Sequence, residues 1–248
     1  MSNVNDSYFN GIYKEIWRSI IPDKLTQKEI DFILAYFELQ PGDKVLDMMC
    51  GYGRHSIVLA QRGFRVTAVD NLPSYIEEIN EKAARDKLPI TTFCRDVVTF
   101  QANSEHKLAL CMGNSLNFYG EADLKKFLKN VHASLGAGGW LLINTWSLAE
   151  IVWPAFREES SGLIMGVECR TESRKVSDPE RIESLTSFLL PDGSREEKSA
   201  VDYIYSVQQM SDFLMETGFT WVENFSIPGR KHFSEGDQRA YIIARKSF

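Results

Sequence analysis

Asp47 and Asp70 are the two carboxylates in this chain best placed to do chemistry together. Each closes, or nearly closes, a run that reads as a buried strand: Lys44 to Met49, and Phe64 to Asp70. Between them, Cys50-Gly51-Tyr52-Gly53 reads as a tight turn and Arg54 to Arg62 as a helix. Gly51 and Gly53 have no Cβ, so the backbone can bend sharply there and come close to a ligand. An acid at the tip of the second strand of a βαβ unit is placed to accept both hydroxyls of a ribose. Asp47, just ahead of the glycines, would repel a pyrophosphate and favour a cationic ligand tail. Ser56 stands where a dinucleotide fingerprint needs its third glycine. These residues describe a nucleoside site built for a cationic tail.

The run VLDMMCGYGRHSIVLAQRGFRVTAVD resembles motifs I and II of class I S-adenosylmethionine-dependent methyltransferases, whose first motif is roughly D-x-G-x-G-x-G. Met49 departs from that pattern, standing where the family has its first glycine. The resemblance implies a Rossmann-like core and S-adenosyl-L-methionine as cofactor, with its aminocarboxypropyl tail and sulfonium on the glycine turn. It also implies that Asp96 lies near the adenine amino group and Val97 against the adenine face. The stretch Met112-Gly113-Asn114-Ser115-Leu116-Asn117-Phe118-Tyr119 resembles the G-N-S loop of small-molecule methyltransferases, which sits beneath the sulfonium and faces the acceptor. The expected cofactor-binding residues are Asp47, Cys50, Gly51, Gly53, Arg54, Asp70, Asn71, Asp96, Val97, Met112, Gly113 and Asn114. On the acceptor side the candidates are Asn114, Asn117, Tyr119 and Trp146, with no catalytic base identified.

Methyl transfer from a sulfonium is an in-line displacement in which the protein mainly positions and desolvates. An amine acceptor needs no strong base, whereas a hydroxyl or carboxylic acid needs a base or a metal. The strand ends offer no His/Asp pair and no metal cluster, so an amine is mildly favoured and no metal is expected. Trp153, Tyr203 and Tyr205 read as core aromatics, and His55, His106, His132 and His232 as solvated or hydrogen-bonded structural residues.

The elements that must position these residues follow from periodicity. Asp6 to Ile20 reads as a helix, and Thr26-Gln27-Lys28-Glu29 as a capping box opening a second helix through Leu39. Further helices are expected at Ser74–Lys87, with Pro73 at its start, at Glu121–Leu135, closed by Gly136 to Gly139, and at Ser206–Thr217. Strands are expected at Pro89–Cys94, Lys107–Met112 and Trp140–Asn144. This alternation implies an α/β fold with a Rossmann-like doubly wound sheet. From Leu163 to Tyr205 the rhythm changes to three alternating polar segments separated by turns at Ser177–Glu180 and Pro191–Gly193. They read as an inserted antiparallel β-meander. Thr220–Ser226 and Gln238–Arg245 then form a C-terminal β-hairpin, the usual terminus of the resembled family.

The expected organisation is a helical lid over 1–40, a cofactor-binding core over 41–150, a β insertion over 151–206 that covers substrate or makes a dimer contact, and a C-terminal helix and hairpin over 207–248. The 248 residues suit one large α/β domain with an insertion. A net charge of −6 and the lack of a basic stripe argue against nucleic acid as a partner. Apolar runs are strand-length and the N-terminus lacks a signal-peptide pattern, so no membrane partner and a cytoplasmic location are expected. The four cysteines lack metal-like spacing and read as free thiols. A small molecule is the expected partner and a homodimer is possible. Two other readings remain. A nicotinamide-dependent oxidoreductase is disfavoured by Asp47 and Ser56, and a non-catalytic cofactor-binding module is kept open by Met49.

Overall fold

The computed structural model describes residues 3–103 and 105–247. Two helices, α1 (Ile12–Ile20) and α2 (Asp23–Tyr36), precede the sheet. Then β1 (Lys44–Met48), α3 (Arg54–Gln61), β2 (Arg65–Asp70), α4 (Pro73–Asp86), β3 (Ile90–Cys94), β4 (His106–Cys111), α5 (Glu121–Ser134) and β5 (Leu135–Thr145) alternate along the chain. After α6 (Ala149–Ala155) comes the insertion, β6 (Glu159–Ile164), β7 (Val167–Ser177), β8 (Glu180–Leu189) and β9 (Arg195–Tyr203). The chain closes with α7 (Val207–Glu216), β10 (Phe219–Ile227), β11 (Lys231–His232) and β12 (Ala240–Lys246).

The main sheet has eight strands in the order β11-β10-β12-β5-β4-β1-β2-β3. β3 to β5 pair in parallel, and β12 enters antiparallel between β5 and β10. This is the Rossmann-like doubly wound sheet with a C-terminal hairpin that the pattern predicts. Strand order reverses between β1 and β4, so their carboxyl ends open a crevice. β1 explains its own central place: Val45, Leu46 and Met48 are at most 1% exposed, as a strand covered on both faces requires. Leu46 and Met48 face the layer holding α5, while Val45 faces that of α2 and α3. On α5, Leu124, Phe127, Leu128 and Val131 form one apolar stripe at helical spacing. Each such fully buried side chain contributes about 1.5–3 kcal/mol.

Several local expectations are corrected. The first helix does not run through from Asp6. A 3-10 turn at Val4–Ser7 and α1 are separated at Gly11, whose φ of +61° a helix cannot hold. The second helix starts at Asp23 and stops at Tyr36, and Thr26 is an interior residue, not its cap. Thr26 and Glu29 are turned inward instead, toward Arg54. Gly136 to Gly139 do not form a loop, because β5 already begins at Leu135. A Cβ on Gly139 would stand 3.0 Å from the Gly136 carbonyl and 3.2 Å from that of His106, so glycine lets the backbones meet there. The insertion is a four-stranded antiparallel sheet, β6-β7-β8-β9, rather than three segments. The extra strand, β6, turns back at Met165-Gly166, both with positive φ. α6 was not expected: its seven residues include Pro154 and none is buried, so no apolar period marks it.

Candidate functional site

The glycine turn and the tip of β2 form one hydrogen-bonded unit. Gly51 N–H donates to Asp70 Oδ2 at 2.9 Å, and Leu72 N–H to Oδ1 at 3.0 Å. Asp70 is 7% exposed, and that burial pushes its carboxyl up to about 6, with the nearby Asp47 charge adding to the rise. Asp47, the next residue on β1's α3 face after Val45, accepts Ser56 Oγ–H at 2.6 Å. Burial raises its pKa against the opposing pull of His55, Ser56 and Arg54. Burial and the two aspartates also hold Cys50 well above an ordinary thiol, so it stays protonated. Met49 takes a φ of +56°, the left-handed region where the resembled motif has glycine. A residue with a Cβ pays about 1–2 kcal/mol there.

Behind the turn, Glu29 gathers three side chains of the helices and the sheet. Its Oε2 accepts from Arg54 at 2.5 Å and contacts His55 Nε2 at 3.0 Å, while Tyr241 O–H donates to Oε1 at 2.8 Å. Arg54 also reaches Thr26 at 3.0 Å. Burial alone would raise the Glu29 carboxyl, but the bond and charge of His55 and then of Arg54 outweigh it and hold it at about 2. The helix that follows the glycine turn, α3, is thereby tied to α2 and β12.

A cavity of about 630 Å³ opens above this turn, within the roughly 300–1,000 Å³ of small-molecule sites. Its floor includes Asp47, Cys50, Gly51, Arg54, Asp70, Asn71, Met112, Gly113 and Asn114. Its far side is aromatic: Tyr8, Tyr13 and Trp17 from the N-terminal segment, Phe118 and Tyr119 from the loop after β4, and Trp146 after β5. Trp17 and Trp146 meet at 5.7 Å between ring centroids, and Tyr8 and Tyr13 at 4.4 Å. One face of the insertion completes the wall with Thr171, Ile182, Ser184, Thr186, Ala200 and Asp202.

The N-terminal segment is pinned from both sides. Asn5 exchanges two hydrogen bonds with the backbone of Val201 on β9, at 2.8 and 2.9 Å. Asn71 donates to Asp6 at 2.5 Å and Tyr75 O–H to the Phe9 carbonyl at 2.9 Å. Lys14 and Arg18 on α1 share Glu78 on α4 at 2.8 and 2.7 Å.

Four expected site residues lie outside the wall. Gly53 is beneath the turn, where a Cβ would stand 2.7 Å from Ile79. Val97 is 2% exposed within the core beside Leu46 and Met48. Asp96 is exposed and accepts Val98 N–H at 2.8 Å, closing its own turn. Asn117 is 2% exposed, and its amide accepts from Thr145 and donates to the carbonyls of Ser147 and Tyr203. Asn114 does line the cavity, yet its amide is engaged with protein too. Its oxygen accepts from Thr145, Trp146 and Ser147, and its nitrogen donates to Ser147 and Asp202. Tyr119 keeps its phenol protonated, since burial raises its pKa before Asp96 and Asp6 add to it.

Asn5, Asp6, Tyr75 and Asp202 were not expected at the site. For Asp202 a signal existed: one acid in the apolar run Ala200-Val201-Asp202-Tyr203-Ile204 at the end of a strand. Of the histidines, only His55 lines the cavity, and it faces Glu29.

The cavity fits S-adenosylmethionine on three counts. Asp70 presents a carboxylate to the cavity beside the glycine turn, a group able to accept hydroxyl donors. A Cβ built on Gly51 meets nothing within 4 Å, leaving the turn open to close approach. Carboxylates outnumber arginines in the wall, with Asp6, Asp47, Asp70 and Asp202 against Arg54 and Arg157, which suits a sulfonium.

Comparison with known proteins agrees. Residues 45–139 match the family described as "Methyltransferase domain". A protein named as a methyltransferase of Geobacillus sp. (strain WCH70) is 24% identical over 249 residues, covering 97% of this chain and 96% of that protein. The crystal structure of an S-adenosylmethionine-dependent methyltransferase from Clostridium acetobutylicum ATCC 824 superposes with a TM-score of 0.82 at 21% identity, covering 98% of this chain and 99% of that one. A structure of an amino pentose methyltransferase from Micromonospora echinaspora with S-adenosylmethionine bound superposes with a TM-score of 0.74 at 16% identity, covering 96% and 98% of the two chains. Among the described residues, no helix is long and apolar enough to cross a membrane. Residues 45–139 match a methyltransferase domain, and the chain shares the fold of S-adenosylmethionine-dependent methyltransferases over nearly its whole length.

Proposed function

We propose that this methyltransferase methylates an amine nitrogen of a small molecule. The observation that carries the reading is the acceptor wall: aromatic rings of the N-terminal segment, joined to a surplus of carboxylates within one cavity. Aromatic faces and carboxylates both favour a cationic or amine-bearing guest and disfavour phosphates and carboxylic acids. Arg54, one of the two arginines present, is already engaged by Glu29. The amino pentose methyltransferase that superposes on this chain supports the same class of acceptor.

When bound, S-adenosylmethionine supplies a methyl group on a sulfonium leaving group. The chain's part is binding, orientation and exclusion of water. Asp70 would receive the ribose hydroxyls, and Gly51 would admit the cofactor tail close to the backbone. Asp47, Cys50, Asn71, Met112 and Gly113 would complete that half of the site. Asn114 holds the loop after β4 against Ser147 and so fixes the floor beneath the methyl. Tyr8, Tyr13, Trp17 and Trp146 would shield the reacting centre, so that water neither competes nor solvates the nucleophile. The N-terminal segment, closed by Asn5 and Asp6, is the lid, and the inner face of the insertion is the acceptor cover.

Two measurements test this. Calorimetric titration should show binding of S-adenosylmethionine and S-adenosylhomocysteine but not of NAD. A mass-spectrometric screen over amines, alcohols and carboxylic acids should then show a mass gain of one methyl on amines. A gain on alcohols or acids alone would remove the amine reading while leaving the cofactor intact.

A further inference from the structure

Asp202 is a carboxylate of the cavity to which the proposed transfer gives no role. Asp202 sits at the end of β9, on the wall opposite the glycine turn. Its only hydrogen-bonding neighbours among the described residues are Asn114 Nδ2 at 3.4 Å and Ser147 Oγ at 3.5 Å, both on Oδ1 and both long. None of the described residues donates to Oδ2, and no ion pair forms with any lysine, arginine or histidine. A carboxylate partly stripped of water and left without a cation is costly unless a ligand supplies one. The side chains around it are Tyr8 and Tyr13, whose phenols feel its charge, with Trp17 stacked beyond Tyr13 at 6.3 Å. A free carboxylate among aromatic faces is the arrangement that captures an ammonium.

We propose that Asp202 is the anchor and proton acceptor for the acceptor's ammonium group, an inference that rests on the amine reading above. The Oδ2 side of the carboxylate takes an N–H of the ammonium. The proton passes to the carboxylate, and the freed lone pair forms the new N–C bond. The S–C bond breaks with its electron pair going to sulfur. The methylated nitrogen, again cationic, leaves as the carboxyl gives its proton to water. Burial pushes the Asp202 carboxyl up to about 6, closer to an amine than an ordinary carboxylate and better matched to accept its proton. The groups facing it are Tyr8 and Tyr13 from the N-terminal segment and Asn114 and Ser147 from the loops after β4 and β5. Asp6 and Arg157 share the same cavity.

The test uses the full-length protein saturated with S-adenosylhomocysteine, read by quenching of Trp17 and Trp146. Benzylamine and benzyl alcohol are the probes, differing in the group offered to Asp202. Wild type should bind the amine about tenfold or more tightly than the alcohol, as one charge-assisted hydrogen bond implies. That preference should grow as pH rises through about 6, where Asp202 ionises. Asp202→Asn should bind both probes alike, with no pH step, and keep its affinity for S-adenosylhomocysteine. Equal binding of the two probes by wild type, or an amine preference retained in the variant, overturns the proposal. So does a variant that loses S-adenosylmethionine while keeping S-adenosylhomocysteine, because the carboxylate would then face the sulfonium. Alcohol-only products in the methyl-transfer screen would instead mark failure of the amine reading itself.

Discussion

Gly51 N–H donates to Asp70 Oδ2 at 2.9 Å, so the turn proposed to approach the cofactor and the acid proposed to receive its ribose are held as one piece. Asp70→Ala removes both this brace and the acceptor for two ribose hydroxyls. Charge-assisted hydrogen bonds of this kind are worth about 1.5–3 kcal/mol each before water replaces them. The variant should remain folded and bind S-adenosylhomocysteine at least tenfold more weakly by calorimetry. Unchanged affinity would remove the ribose role, and unfolding would make Asp70 structural.

The two glycines of the turn should separate binding from folding. Gly51 and Gly53 both have positive φ, of +55° and +76°. A Cβ at Gly51 enters open space in the cavity, whereas one at Gly53 strikes Ile79 at 2.7 Å. Gly51→Ala should cost only about 1–2 kcal/mol of stability but weaken the cofactor strongly. Gly53→Ala adds overpacking of about 1–3 kcal/mol to the same backbone cost. Melting temperature and cofactor titration, measured on both variants, check the contrast.

Glu29→Gln should damage the fold more than Gly51→Ala. It leaves Arg54 and His55 buried without their carboxylate, a loss of about 3–5 kcal/mol. The sign with pH follows from the lowered pKa. Glu29 contributes stability above its ordinary range, near 4.5, and loses it as pH falls through about 2. The gap in melting temperature between wild type and variant should be widest near neutrality and close toward pH 2.

Asp202 works in the opposite sense. Its folded pKa, about 6, lies above the ordinary 3.8. Its favourable contribution is therefore full below about pH 4 and lost as pH rises through 6. Without ligand, Asp202→Asn should melt higher than wild type at pH 7.5, by up to about 3 kcal/mol at roughly 1.4 kcal/mol per pKa unit. The two should converge at pH 4, and thermal melts across that range decide it.

Deleting residues 1–20 should spare the cofactor half and remove the acceptor wall. The segment contributes Tyr8, Tyr13 and Trp17 to the cavity but no strand to the main sheet. Binding of S-adenosylhomocysteine should persist with a modest fall in melting temperature, while methyl transfer to amines is lost. Retained turnover would show that the segment is not the lid.

The sequence by itself determined the glycine turn with its flanking strands and helices, the half of this protein proposed to hold the cofactor. The strand at Lys44, the glycine turn, Asp70 and the Pro73 helix start all lie within about thirty residues, where strand alternation, backbone freedom and helix capping act locally. The doubly wound order and closing hairpin were legible for the same reason, since each element carries its own period. Only the tertiary structure decided the acceptor half. Asn5 reads as an ordinary polar residue until it pairs with Val201, and Asn114 and Asn117 read as turn formers until their amides are seen locked to β9 and the loop after β5. Asp202 reads as a lone acid in an apolar run at the end of a strand. Its meaning comes from which face of β9 turns inward, and that is set by pairing with β8 and by contact with the N-terminal segment, far away in the chain. A strand's period shows that two faces exist, but which one is buried depends on what the rest of the chain brings to cover it.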